Sequence, residues 1–466
     1  MVRLFRVFVP TSVLALLISE TILIFSCYVL ASFFTLDTDP AVYLLDEGGI
    51  ARIALVVGCV MFGIYFHDLY TQFKIHSRIL LLQQVCLVLG IAFLTQALLT
   101  YLKLPNWILP KWLMILGSSL VLVLLPAWRI IYASVIMKAL GAERLLFLGT
   151  SPIVQEISEY LRDHPELGLT AIGYLDDCTN ISDPVPLSAM PRMGCLTELG
   201  DAVKQTMPDC IVVGMAERRG RLPVNELLDM RFAGIRIEEA QTTYELTFGR
   251  VSVRELRPSQ LIFSAELGPR RNRVFWQSIY SFVIALIVTV VTSPIMLLTA
   301  ILVRVSSSGP ILHRQQRVGR DGIPFTLYKF RSMRKDAEAV TGPVWAQKDD
   351  PRVTPVGRWL RKLRLDELPQ LLNVVRGEMS IVGPRPERPE FVDTLTEQIP
   401  YYRQRHCVKP GITGWAQINL EYGDSLEDTI KKLEYDLYYI KNLAVSLDAY
   451  IIFHTLKVMV LSRGAQ

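Results

Sequence analysis

Charge is scarce in this chain: Asp, Glu, Lys and Arg make up only 20% of its 466 residues, while hydrophobic residues make up 51%. Such a balance excludes a disordered protein. No Cys-x-x-Cys pair occurs among Cys27, Cys59, Cys86, Cys178, Cys195, Cys210 and Cys407, and three of these lie in apolar stretches. A zinc ribbon or disulfide framework is therefore not expected, and a reducing compartment fits. Glycine (28) and proline (26) are too ordinary for a fibrous or low-complexity chain. Lys+Arg exceed Asp+Glu by only five, 49 against 44. That excess is too small to coat nucleic acid, so no nucleic-acid partner is expected, although clustered cations would suit an anionic membrane face.

What the chain does have is long apolar runs. Val7–Phe34, Ile50–Phe66, Ile79–Leu102 and Ile108–Ile136 each approach or exceed the roughly 20 residues that cross a hydrocarbon core. The first is too long for a signal peptide and has no small-residue cleavage site. Arg3 and Arg6 precede it; the following loop carries Asp37, Asp39, Asp46 and Glu47 with no cation before Arg52. Lys74 and Arg78 lie in the second loop, Lys103 and Lys111 in the third, and Arg129, Lys138 and Arg144 at or beyond the end of the fourth run. This distribution predicts a four-span bundle over residues 1–140 with both termini inside.

Residues 141–265 read differently. Strands at Arg144–Leu148, Leu169–Leu175, Cys210–Val213 and Ile235–Ile237 alternate with helices at Pro152–Arg162, Thr197–Gln205 and Val224–Phe232. That alternation predicts a doubly wound, Rossmann-like α/β domain. Its first turn, Gly149-Thr150-Ser151-Pro152-Ile153-Val154, holds one of the three glycines that a dinucleotide's pyrophosphate requires. No convincing Tyr-x-x-x-Lys dyad accompanies it. A structural or regulatory module is the expectation, with a membrane-anchored nucleotide-sugar oxidoreductase or epimerase as the alternative.

Residues 266–466 form the third domain. Trp276–Val303 is again apolar, but basic on both flanks: Arg270, Arg271 and Arg273 before it, Arg304, His313, Arg314, Arg317 and Arg320 after it. A single crossing would export one basic flank against the usual bias. Pro294 removes a backbone donor and Ser293 can satisfy the group it frees, so the pair predicts a re-entrant helix that breaks and returns. Downstream, Arg352, Arg358, Arg361, Lys362, Arg364 and Arg376 surround Asp366 and Glu367, while Leu360, Leu363, Leu371, Leu372 and Val375 recur at helical spacing. Asp366 stands three residues before Pro369, a position suited to an N-cap, where the helix end and Arg364 would favour its ionised form. An ionised carboxylate among cations can attack a phosphate, and the adjacent Glu367 can hold Mg²⁺. By spacing alone a helix cap with surface ion pairs is the commoner meaning of such a pair. Lys329 and Arg331 sit on a strand-like aromatic stretch, and Arg385 in the rigid Gly383-Pro384-Arg385-Pro386 turn suits bidentate phosphate contact. The Gly-rich Lys409–Gln417 turn is a candidate to hold a nucleotide base. Leu447–Leu461 is apolar with Asp448, His454 and Lys457 interspersed, and reads equally as an interfacial or a packing helix.

Five stretches in order, YKFRSM (328–333), LDELPQL (365–371), GEMSIVGPRP (377–386), KPGITGWAQIN (409–419) and LEYDLYYI (433–440), stand beside the Ser-Pro-containing helix. Over residues 276–466 the chain resembles the catalytic module of bacterial polyprenyl-phosphate sugar-1-phosphate transferases, the monotopic phosphoglycosyl transferases. The full layout resembles the large, exopolysaccharide-priming members, with four spans and a Rossmann-like domain. The resemblance implies transfer of hexose-1-phosphate from a UDP-sugar to polyprenyl phosphate with release of UMP, Asp366 as nucleophile, Glu367 as Mg²⁺ ligand and Arg385 as phosphate binder. Lys329, Arg331 and Arg364 are weaker candidates for the same task, and Ser293 and Pro294 would form the re-entrant break. It further implies a bacterial inner membrane location with the module on the cytoplasmic side. The bundle and α/β domain are large surfaces without catalytic duty, which favours a homodimer; a non-catalytic assembly scaffold is the remaining alternative.

Overall fold

The computed structural model describes residues 2–4, 7–9, 11–66, 78–132, 142–177, 190–215, 221–256, 268, 270–334, 352–420 and 425–460. Arg6, Lys74, Lys138, Cys178 and the expected boundary near 265 lie outside them. By its contacts the chain forms two units, residues 1–2 and 9–238, and residues 3–8 and 239–466.

In the first unit, α1 (Thr11–Thr35), α2 (Gly49–Phe66), α3 (Arg78–Tyr101) and α4 (Lys111–Ile131) follow the apolar runs. Each is long and apolar enough to cross a membrane. They share a core that includes Ile24, Tyr28, Val60, Val88, Leu113 and Val121. Gly117 is required there, because a Cβ would lie 2.3 Å from Tyr28 Cδ1. The buried Arg129 bonds both carboxylate oxygens of Glu20, at 2.6 and 3.0 Å, so neither charge is left unpaired in apolar surroundings.

The α/β part of this unit is a five-stranded sheet. Its elements are β1 (Glu143–Leu148), α5 (Pro152–Asp163), β2 (Leu169–Asp176), β3 (Arg192–Cys195), α6 (Leu199–Thr206), β4 (Cys210–Val213), α7 (Val224–Phe232) and β5 (Arg236–Glu239). The strand order is 3-2-1-4-5, with parallel pairing of β1 to β2, β1 to β4 and β2 to β3. Leu145–Leu148 of β1 and all of β4 are apolar and buried, as parallel strands between helices require. β3 is the element that sequence reading missed: it has four half-exposed or exposed residues, with Gly194 at φ +147°. The expectation for cysteine is corrected here. Cys195 is disulfide-bonded, because spacing along the chain does not report proximity in the fold.

The second unit begins earlier than the composition change near residue 265. Helix α8 (Ala240–Phe248) and the segment after it place Val251, Val253 and Leu256 in the same core as Leu371, Val382, Trp415, Leu437 and Ile451. Polar bonds reinforce this strap: Tyr244 Oη and the Val253 amide donate to the Glu434 carboxylate at 3.1 and 3.0 Å, and Lys441 pairs with Glu245 at 2.9 Å.

The longest helix, α9 (Arg271–Ser306), runs without interruption through Pro294. Helical backbone thus continues across Ser293-Pro294, the pair expected to form the re-entrant break. Proline leaves the Val290 carbonyl without its usual amide donor, and the Ser293 hydroxyl donates to that oxygen at 2.8 Å. The buried residues of α9 cluster toward its ends, at Val274, Gln277, Ser281 and Ala285, then at Thr299 and Val303. Ala285 joins the main core, whereas Val303 packs with Phe330 and Leu360; Leu368 touches both clusters.

The remaining elements are short. β6 (Leu312–Val318) and β7 (Pro324–Phe330) form an antiparallel hairpin. Helix α10 (Pro355–Lys362), a 3₁₀ turn at Leu365–Glu367 and α11 (Gln370–Val375) follow. β8 (Ser380–Val382) pairs in parallel with β9 (Gly411–Thr413). Helices α12 (Pro389–Gln398), α13 (Trp415–Asn419), α14 (Leu426–Asn442) and α15 (Val445–Val460) complete the unit. The amphipathic helical region expected around Asp366 is two helices, α10 and α11, separated by the 3₁₀ turn. Arg364 adopts a left-handed conformation, φ +52°, and turns the chain, leaving Leu363 exposed rather than in the core.

Candidate active site

The left-handed turn at Arg364 sets the site. It places Asp366 and Glu367 in the 3₁₀ turn, between α10 and α11, so the N-cap of α11 is Pro369 and not Asp366. Strand β7 alternates its side chains: Tyr328 faces Arg376, which donates to its hydroxyl at 2.8 Å, and the next residue, Lys329, reaches Glu367. From the turn after β8, Arg385 converges on the same carboxylate. Glu367 Oε1 accepts from Lys329 Nζ at 3.3 Å and from Arg385 Nη2 at 3.1 Å. No hydrogen bond among the described residues engages its Oε2.

The two neighbouring carboxyls are pushed apart electrostatically. Burial alone would raise Glu367, but Lys329, Arg385 and Arg364 outweigh it and hold the group below the usual carboxylate range. Burial, followed by the charge on Glu367, raises Asp366 above its ordinary value against the pull of Lys329 and Arg361. This reverses the expectation that a helix end and Arg364 would favour ionised Asp366: the residue caps no helix, and desolvation dominates. Asp366 forms no ion pair among the described residues, so its carboxyl is buried but uncommitted.

Arg331 lies elsewhere. It is buried, and its Nη2 donates to Val303 O, Ser307 O and Ser307 Oγ at 3.3, 2.7 and 2.8 Å. It ties the end of α9 to the hairpin, while its Nε and Nη1 have no partner among the described residues. Trp415 does not present an open face for a base. It is buried against Tyr438 at a ring separation of 5.7 Å, and its indole N–H donates to Gly249 O at 2.7 Å. Helix α15 packs on one face through Leu447, Asp448 and Ile451, and exposes Leu456 and Met459 on another.

Two buried polar groups that sequence reading did not assign frame the Arg385 turn. Val382 O accepts from Gln277 Nε2 at 3.2 Å and lies 3.3 Å from Tyr439 Oη. Gln277 and Tyr439 donate to Asp448, at 2.9 and 2.8 Å, as does Tyr280. Burial pushes Asp448 up to about 6 despite these bonds. On the other side, Arg405 is paired with Asp436 at 2.8 Å and donates to Arg385 O at 3.0 Å.

Residues 272–462 match the family described as bacterial sugar transferase. The exopolysaccharide production protein PSS of Rhizobium leguminosarum bv. phaseoli is 41% identical over 179 residues, 37% of this chain and 89% of that protein. The chain belongs to the bacterial sugar transferase family. Other relatives of this sugar transferase are longer. A UDP-N-acetylgalactosamine-undecaprenyl-phosphate N-acetylgalactosaminephosphotransferase of Aeromonas hydrophila is 43% identical over 222 residues, 48% of this chain and 52% of that one. A UDP-glucose:undecaprenyl-phosphate glucose-1-phosphate transferase of Xanthomonas campestris pv. campestris is 33% identical over 335 residues, 68% of this chain and 66% of that one. The match thus spans about half to two thirds of the length of these two relatives. All the candidate residues of the sugar transferase, from Ser293 to Arg385, fall inside the family match.

Proposed function

We propose that this sugar transferase moves a hexose-1-phosphate from a UDP-sugar to membrane polyprenyl phosphate, undecaprenyl phosphate being the form named for its relatives, and releases UMP. The observation that carries the reading is the buried Asp366 carboxyl beside a Glu367 carboxylate already clamped by Lys329 and Arg385. In the first step an Asp366 oxygen attacks the phosphorus bearing the sugar; the bond to the UMP oxygen breaks, and UMP leaves with the electron pair. In the second, an oxygen of polyprenyl phosphate attacks the same phosphorus, and the aspartyl–phosphorus bond breaks to restore the carboxylate. Raised basicity makes Asp366 a better nucleophile once ionised. Lys329 and Arg385 bring positive charge to where two phosphates must meet. The donor set fits a divalent cation: two adjacent carboxyls, one with an uncommitted oxygen, are the sparse protein ligation that Mg²⁺ usually receives. Mg²⁺ there would screen the carboxylates from the donor phosphates.

The same reading places the module at a membrane surface. A straight helix would carry Ala285 and Val303 about 27 Å apart, yet their clusters share Leu368. Between them Leu286, Ile287, Val290, Val291 and Leu297 are exposed. This supports a bent α9 that enters the bilayer from the cytoplasmic face of the bacterial inner membrane and returns, with Pro294 at its deepest point and both basic flanks inside. The four N-terminal helices would span, and the 3-2-1-4-5 sheet would be a Rossmann-like module on the same side. Bringing a soluble donor to a lipid acceptor at one fixed interface removes much of the cost of their encounter.

The deciding experiment is mass spectrometry of protein incubated with UDP-sugar and Mg²⁺ but no lipid acceptor. The expected result is a hexose-phosphate adduct on the peptide containing Asp366, discharged by polyprenyl phosphate. Turnover without any adduct would defeat the covalent route, and oxidation or epimerisation of the sugar with NAD would favour the alternative enzyme.

A further inference from the structure

The turn that delivers Arg385 is fixed carbonyl by carbonyl. Val382 O accepts from Gln277, Pro384 O from the Gly411 amide at 3.0 Å, Pro386 O from Arg317 Nη1 at 2.9 Å and Glu387 O from the Val318 amide at 2.9 Å. The bond to Arg385 O is unlike the others, because its donor is a buried charge. Arg405 is 5% exposed and Asp436 is 2% exposed. Arg405 Nε and Nη2 both reach Asp436 Oδ2, at 3.0 and 2.8 Å, and Nη1 donates to Tyr402 Oη at 2.9 Å. A buried ion pair is weak evidence for stability, since desolvating both partners consumes most of what their attraction returns. Every hydrogen-bonding edge of this guanidinium is nonetheless used, and one edge ends on the backbone of the residue whose own guanidinium holds Glu367.

We propose that Arg405 and Asp436 are positioning residues for the transfer: through Arg385 O they fix where the Arg385 guanidinium lies relative to Glu367. Neither touches the reacting atoms. The Asp436 carboxylate orients Arg405 in a plane, the guanidinium fork spans from Asp436 to Arg385 O, and Tyr402 closes the third side. A lysine at 405 keeps the charge opposite Asp436 but cannot span both partners, because an ammonium offers no fixed fork. The inference rests on the functional reading above, in which Arg385 contacts the donor phosphate.

The test is a double-mutant cycle on UMP release in detergent, with UDP-sugar, polyprenyl phosphate and Mg²⁺, comparing Arg405→Lys, Arg385→Ala and the double variant. Arg405→Lys is expected to lower kcat/KM about tenfold in the wild-type background, the size of loss seen when directly coupled residues are separated. In the Arg385→Ala background the same change is expected to have almost no effect, because nothing is left to position. Equal losses in both backgrounds would overturn the proposal and leave the pair as fold support only. If Arg385→Ala alone leaves UMP release unchanged, the parent assignment of Arg385 fails, a result distinct from additivity. Should Arg405→Lys fail to melt cooperatively, Tyr402→Phe, which keeps the ion pair, carries the same cycle with a smaller loss; additivity there overturns the proposal equally.

Discussion

Between residues 142 and 238 the described chain buries no Asp, Glu, Lys, Arg or His, whereas between 239 and 460 it buries Arg250, Arg331, Asp366, Arg405, Glu434, Asp436, Asp448 and Lys457. Both regions are α/β. The sheet of the first satisfies itself with aliphatic strands such as Leu145–Leu148 and Cys210–Val213 and keeps its charges in water. The second removes charge from water at a cost that packing alone does not require. Stability could be had without those groups, so their concentration in one region marks where the chain does chemistry.

Five outcomes test that contrast. The largest is expected for Asp366→Asn, which should cut UMP release at least about a thousandfold, as loss of a nucleophile does. Because burial and Glu367 already hold this carboxyl above its ordinary pKa, its ionised form burdens the fold at neutral pH. Calorimetry should therefore find the variant's melting temperature unchanged or higher, and a large loss of both activity and stability would make the residue structural. Lys329→Met should cost about a hundredfold in kcat/KM, the scale for removing one charge-stabilising donor; a loss below threefold would remove Lys329 from the site. The acid limb of the kcat/KM profile should lie above the ordinary aspartate value of 3.8 and move to lower pH in Glu367→Gln, which removes a like charge from beside Asp366. A limb that stays fixed would show that another group is titrating.

Asp448→Asn probes the cost of burial directly. Its folded pKa is raised from 3.8 to about 6, so the folded state holds the proton more tightly and wild-type stability from this group falls as pH rises through that window. The melting temperature of the wild type minus that of the variant should decline between about pH 4 and about pH 6 and be flat above. The smallest effect belongs to the sheet. Thr150 Oγ1 donates to Asp176 Oδ2 at 3.1 Å, beside the single-glycine turn, and Thr150→Val should change UMP release by less than about twofold, as substitutions away from a site usually do. A tenfold change would end the division of labour between the two regions.

Much of this was readable in one dimension. Apolar runs located α1 to α4 and α9 because helix length follows the length of an apolar stretch, and alternation located four of the five strands. The Asp366–Glu367 pair was visible because its carboxyls are adjacent and its cations lie in short motifs. What stayed hidden depends on conformation or on distance along the chain. The positive φ at Arg364 has no glycine to announce it, so leucine periodicity counted Leu363 with the apolar face although the turn leaves it exposed. Arg405 and Asp436 are 31 residues apart, and Gln277 and Asp448 are 171 apart; a buried pair formed by folding leaves no local pattern. Burial also reversed the electrostatic expectation for Asp366, since proximity to cations can be read from sequence but desolvation cannot.

The strap at 240–256 has a practical corollary. Anyone excising the last third of the chain for expression would be drawn to cut at the compositional seam near 265. Such a fragment would lose Val251, Val253 and Leu256 from its interior, strip Glu434 of its Tyr244 and Val253 donors, and uncover the indole edge of Trp415. Cutting ahead of Glu239 retains every one of those contacts.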